Sequence, residues 1–211
     1  MTERPQTLRE ELANTLSHGL GLLLALASLP VVLNLGEGQG GHTQAGAFVF
    51  SLTMILLYLA SAVYHALPHG LAKQWFNRLD HAAIYLFIAG SYTPFALGQM
   101  DGSSGWASFT MVWCLALAGM VAKVRNRLRH PLGSTAMYFA LGWLAFIAAG
   151  PLIERMPPDA LMLLLAGGGA YTVGAVFFLL DHRVRYGHFV WHLFVLAGST
   201  CHFFAALWHL V

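Results

Sequence analysis

The sequence predicts an all-α integral membrane protein: a bundle of seven transmembrane helices, N-terminus cytoplasmic and C-terminus outside. Three observations predict it. Only 9% of the 211 residues are charged and 57% are apolar, with a mean hydropathy of +0.62, whereas soluble chains carry roughly 25% charged residues. Seven apolar stretches reach the length of about 20 residues that crosses about 30 Å of hydrocarbon. Lysine and arginine alternate between successive loops. The 11 basic and 9 acidic side chains are too few to cover a water-soluble surface of this size. That excludes a cytosolic enzyme, a nucleic-acid-binding domain and a disordered chain. The net charge of +2 is too small to call for a polyanionic partner, so no nucleic acid is expected. Cys114 and Cys201 lie in apolar stretches and form neither a disulfide framework nor a metal knuckle.

The spans follow in order, numbered by sequence alone. Span 1, about 12–35, opens on Asn14, Ser17 and His18, too long and too polar at its start for a cleaved signal peptide. Span 2, about 44–67, ends on Ser61 and His65. Span 3, about 80–99, starts at Asp80 and His81, and Pro94 is expected to kink it near mid-membrane. Spans 4 and 5 are at about 105–123 and 133–153. Span 6, about 159–180, holds Gly167-Gly168-Gly169-Ala170 and Gly174, which suit close helix packing. Span 7, about 187–210, carries His188, His192, His202 and His209. Trp75, Trp106 and Trp208 fall near the expected interfaces and suit anchoring there. What remains is a tail of about 1–11 and six short loops. The chain therefore reads as one domain, 1–211, without a soluble module, in the cell (inner or plasma) membrane.

Orientation comes from the loops. The tail has Arg4 and Arg9, and the second loop has Lys73 and Arg78. The fourth has Lys123, Arg125, Arg127 and Arg129, and the sixth has Arg183 and Arg185. Of the 11 basic residues only Arg155 falls on the other side. Short basic loops stay cytoplasmic, which sets the N-terminus inside.

Ionisable groups inside a membrane are costly and are candidates for function. With this orientation, span 2 brings His65 to the cytoplasmic end, span 3 starts there with Asp80, and span 7 starts there with His188 and His192. Ser61 with His65, and His188 with His192, are pairs four apart, so each pair shares a helix face. Two imidazoles so spaced can bind one cation. Taken singly, His65 reads as an interfacial residue, the histidine pair as a headgroup contact, and Asp80 as an ion-pair partner or helix cap. Their agreement in depth favours a metal site, and ligand type alone allows zinc, copper or iron. Glu11, Asn14 and His18 lie at the same depth and are candidates for an outer ring around it. His202 lies about 15 Å deeper than His192 at about 1.5 Å per residue and is left out, as is His209. His42, His69, His130 and His182 read as solvated loop residues.

Glu11-x-x-Asn14-x-x-Ser17-His18, Ser61-Ala-Val-Tyr64-His65, Asp80-His81 running to Ala89-Gly90-Ser91-Tyr92-Thr93-Pro94, and His188-Phe-Val-Trp191-His192 running to Ala197-Gly198-Ser199 and His202-Phe203 recur in order along almost the whole chain. Together they resemble the bacterial hemolysin III-like proteins, relatives of the adiponectin and progestin receptors in a superfamily that includes the alkaline ceramidases. The resemblance implies zinc held by His65, His188 and His192, Asp80 holding a metal-bound water, and Ser61 one turn before the first ligand. The chain lacks the long N-terminal region of the receptor branch, so hormone binding is not expected.

Three imidazoles leave zinc an open fourth position, as in catalytic sites, and water bound there has a pKa near about 7. Asp80 would accept its proton and Ser61 would hydrogen-bond the water or an oxyanion. At this depth the substrate or ligand is a membrane lipid. The expectation is thus a ceramidase-like hydrolase of lipid amides or esters. The alternatives are a non-enzymatic regulator or sensor with a structural zinc, and a hemolysin-type pore.

Overall fold

The computed structural model describes residues 5–37, 41–98, 103–128, 130–148, 150 and 156–210. Arg4, Arg129, Arg155, Val211 and the side chains of Trp208 and His209 lie outside the described part. Seven helices run in chain order: α1 (Leu8–Gly36), α2 (Gly41–Ala66), α3 (Leu71–Gly98), α4 (Ser103–Val124), α5 (Pro131–Ala148), α6 (Pro158–Leu180) and α7 (Gly187–Leu210). No strand occurs among the described residues. Hydrocarbon offers no partner for backbone polar groups, so helices satisfy them internally.

Six helices are long and apolar enough to cross a membrane by hydropathy alone, and α3 is the exception. It begins at Leu71, nine residues before the start expected at Asp80. Lys73 and Arg78, read as loop charges, and Asp80, read as a helix start, are therefore inside the helix. This corrects the helix-cap reading of Asp80. The reason is positional: α3 packs against α2, α4, α5 and α7, so its polar residues meet protein instead of lipid. Pro94 lies inside α3, which continues to Gly98. His42, expected in a loop, sits in the first turn of α2 with its ring edge-on to Trp106. Trp75 and Trp106 are both exposed.

α1 starts with a capping box: Glu10 N donates to Thr7 Oγ1 and Thr7 N donates to Glu10 Oε2. Leu12, Leu16, Leu20 and Leu23 on its outer face are more than half exposed, as suits lipid contact. Its inner face closes the ring of helices by packing on both α2 and α7. Apolar burial drives little between helices in lipid, so close backbone approach matters. A Cβ on Gly90 of α3 would stand 1.9 Å from Thr53 Oγ1 of α2. Of the span 6 glycines, Gly167 and Gly174 meet α7 as expected, against His202 and Phe194. Gly168 and Gly169 do not: a Cβ there would meet nothing within 4 Å, because both border a cavity. That cavity, of about 550 Å³, runs among α3, α5, α6 and α7.

Candidate metal centre

The last turn of α2 presents His65, and the first two turns of α7 present His188 and His192. Their ligand nitrogens all lie within 4.8 Å of one another. All three residues are buried, His192 to 1% exposure. The four-residue spacing puts His188 and His192 on one face of α7, with ring centroids 4.8 Å apart. His65 sits 5.0 Å from the first ring and 4.9 Å from the second.

Each ring is held from behind through Nδ1. His65 Nδ1 donates to Glu11 Oε2 at 2.7 Å, and His188 Nδ1 donates to Asp181 Oδ2 at 2.9 Å. An ionised carboxylate only accepts, so both nitrogens carry the proton. Ser17 Oγ donates to Asn14 O at 2.9 Å, which leaves its lone pair to accept from His192 Nδ1 at 3.0 Å. In a neutral imidazole this arrangement leaves the Nε2 lone pair as the available ligand atom. His65 Nε2 is buried with no hydrogen-bond partner. Tetrahedral ligation at about 2.0 Å asks for nitrogens about 3.3 Å apart, so each imidazole has to draw in by less than about 1 Å. Neutral nitrogen donors backed by oxygen acceptors are what a metal-binding histidine needs. The three histidines can hold a metal ion.

The other expected residues gather here as well. Asp80 is buried on α3, with Ser61 and His188 among the groups that interact with it. Ser61 Oγ is buried and makes no hydrogen bond of ordinary geometry. Ser61, Asp80, His188 and His192 line one end of the cavity, and Phe87, Phe95, Phe139 and Leu164 line it further along. Asn14 Nδ2 lies 3.4 Å from His65 Nδ1 and donates to Gln6 Oε1 at 2.5 Å. His18 stacks flat on His192, centroids 3.5 Å apart, with both its nitrogens buried and unpartnered. His202 stays apart: its Nε2 donates to Leu164 O at 3.3 Å, although it lines the cavity's far end. Asp181 and Lys73 were missed as site residues. Asp181 had a signal, a carboxylate six residues before a helix that opens on histidine. Lys73 had none.

A helical membrane bundle whose second and last helices converge three histidines on one point defines a class: multi-pass membrane proteins with a metal-competent site inside the bundle. The chain belongs to the haemolysin-III related family, whose model matches residues 6–203. It is 40% identical to Hemolysin-3 of Bacillus cereus, covering 100% of this chain and 96% of that protein. Hemolysin-3 homolog of Bacillus subtilis (strain 168) is 38% identical over 97% of this chain and 96% of its own length. A more distant relative is the human monocyte to macrophage differentiation factor, 25% identical over 94% of this chain and 84% of that protein. The family and the helices make this a multi-pass membrane protein, which in a bacterium means the plasma membrane.

Proposed function

We propose that the protein is a zinc-dependent hydrolase of lipid amides or esters, working inside the membrane near its cytoplasmic face. One observation carries this reading. Two of the three histidines, His188 and His192, line an apolar cavity together with a buried carboxylate, Asp80, and a buried hydroxyl, Ser61. A cavity of about 550 Å³ is within the usual range for small-molecule sites, and its aromatic and aliphatic walls suit an acyl chain. Since His192 and His202 both line it, it extends about 15 Å along α7.

His65, His188 and His192 would hold the zinc, which when bound would supply a water acidic enough to ionise near neutral pH. Asp80 is the group to take that proton and pass it to the leaving amine or alcohol. Ser61 Oγ–H, beside Asp80, would donate to the oxygen of the reacting carbonyl as charge develops there. The apolar walls exclude bulk water, which strengthens both contacts. The cytoplasmic placement rests on the basic residues of the tail and of the second, fourth and sixth loops.

The test uses purified protein in detergent. Wild type should carry about one zinc per chain, and His188→Ala and His192→Ala should each lose most of it. Zinc-loaded wild type should cleave a ceramide or an acyl ester, and Asp80→Asn should keep its zinc and lose turnover. Equal zinc loss in Asp80→Asn and His65→Ala would make Asp80 a ligand of a closed structural site. No turnover of either lipid class by zinc-loaded wild type would sink the hydrolase.

A further inference from the structure

The carboxylate of Glu11 is shared between two other helices. Oε2 accepts from His65 Nδ1 of α2 at 2.7 Å, and Oε1 accepts from Lys73 Nζ of α3 at 3.1 Å. Lys73 is buried and has no donor to spare. Its other two N–H groups go to Tyr64 O at 2.8 Å and Leu67 O at 3.1 Å, which uses all three of an ammonium. Tyr64 O lies in the last turn of α2 and Leu67 O just past its end, where a helix leaves its last C=O groups unpaired. Lys73 therefore caps the very turn that carries His65, and pins Glu11 with the same ammonium.

We propose that Glu11 is a positioning residue for the metal: it holds His65 with Nδ1 protonated and Nε2 turned to the ion, and Lys73 fixes it in place. The inference rests on the metal reading of the three histidines and deepens it. His65 stands alone on its helix, whereas His188 and His192 support each other on α7. It sits in the last turn of α2, where chain ends fray most easily. Without Glu11 the ring could rotate about χ2 or move its proton to Nε2, and either change removes the donor. A plain tether between α1 and α3 would need only the Lys73 contact. The 2.7 Å bond to the imidazole is what a tether leaves unexplained.

The full chain is purified metal-free in detergent, and zinc affinity is measured by competition with a chromophoric chelator. Cobalt is added separately, because its visible absorption reports ligand geometry. Glu11→Gln keeps the shape and removes the charge; it should weaken zinc binding by about 10–100-fold, the usual cost of losing such a support, and shift the cobalt bands. Glu11→Asp keeps the charge and should lose less. Lys73→Met removes the anchor but leaves the acceptor of the imidazole N–H, and should weaken zinc binding by less than Glu11→Gln does. Wild-type zinc affinity and wild-type cobalt bands in Glu11→Gln, even with lowered thermal stability, would overturn the proposal and leave a tether. So would Glu11→Asp losing more than Glu11→Gln. A wild type that binds neither metal fails differently, because the metal reading itself then falls.

Discussion

Ser17 gives the sharpest test of how the histidines are held. Its hydroxyl donates to Asn14 O at 2.9 Å, and its oxygen accepts from His192 Nδ1 at 3.0 Å. His192 is 1% exposed, so water cannot replace the acceptor. In Ser17→Ala, the tautomer that frees Nε2 for a metal leaves a buried N–H unsatisfied, at a cost of about 1–3 kcal/mol. The metal-free protein escapes this cost by moving the proton to Nε2. The metal-bound protein cannot, so the penalty falls on binding, as about a 5- to 150-fold loss of zinc affinity. Chelator competition reads it directly. Ser28→Ala is the matched control: Ser28 donates to Ala25 O at 2.8 Å on the same helix and touches none of the three histidines, so its affinity should stay at the wild-type value. Ser17→Ala binding zinc as tightly as Ser28→Ala would refute the reasoning.

Two further outcomes are expected. A reporter fused after Val211 should be active only outside the cytoplasm and one near Arg127 only inside; the reverse would undo the cytoplasmic placement of the site. Gly90→Ala drives a methyl to 1.9 Å from Thr53 Oγ1, whose bonds to Val49 O and Phe50 O hold it in place. Such overpacking costs about 1–3 kcal/mol and should lower Tm in detergent. Gly169→Ala meets nothing within 4 Å and should be neutral or slightly stabilising, since alanine is the better helix former; equal Tm values for the two variants would contradict the packing described.

The three histidines were legible because two rules act together. The four-residue spacing puts His188 and His192 on one face, and counting spans brings His65 to their level. Glu11, Asn14, Ser17 and His18 recur at three- and four-residue steps, which marks one polar stripe on a helix that is otherwise rich in leucine. That stripe is where α1 meets the site. What each residue of the stripe touches was not legible, because it depends on side-chain reach between helices. Lys73 was hidden more deeply. A lysine before an apolar run reads as a loop charge at the membrane surface, and only the early start of α3 turns it inward to α2 and Glu11. The glycines of α6 divide for a similar reason: four adjacent small residues cannot all face one neighbour, and the sequence does not say which face α7 takes.

The division of labour between α1 and α7 has a consequence for how the molecule is made. Glu11 and Ser17 leave the ribosome first, and His188 and His192 follow more than 170 residues later. Until the seventh helix has inserted and docked on the first, Ser17 lacks His192 and no ion can be gripped from both sides. Glu10 Oε1 waits as well for the N–H of Tyr186, in the turn that leads into α7. A chain interrupted before that turn carries a carboxylate, a serine and a lone histidine facing an unfinished ring. A nascent bundle still without its last helix leaves bare the face of α1 that α7 covers in the finished molecule.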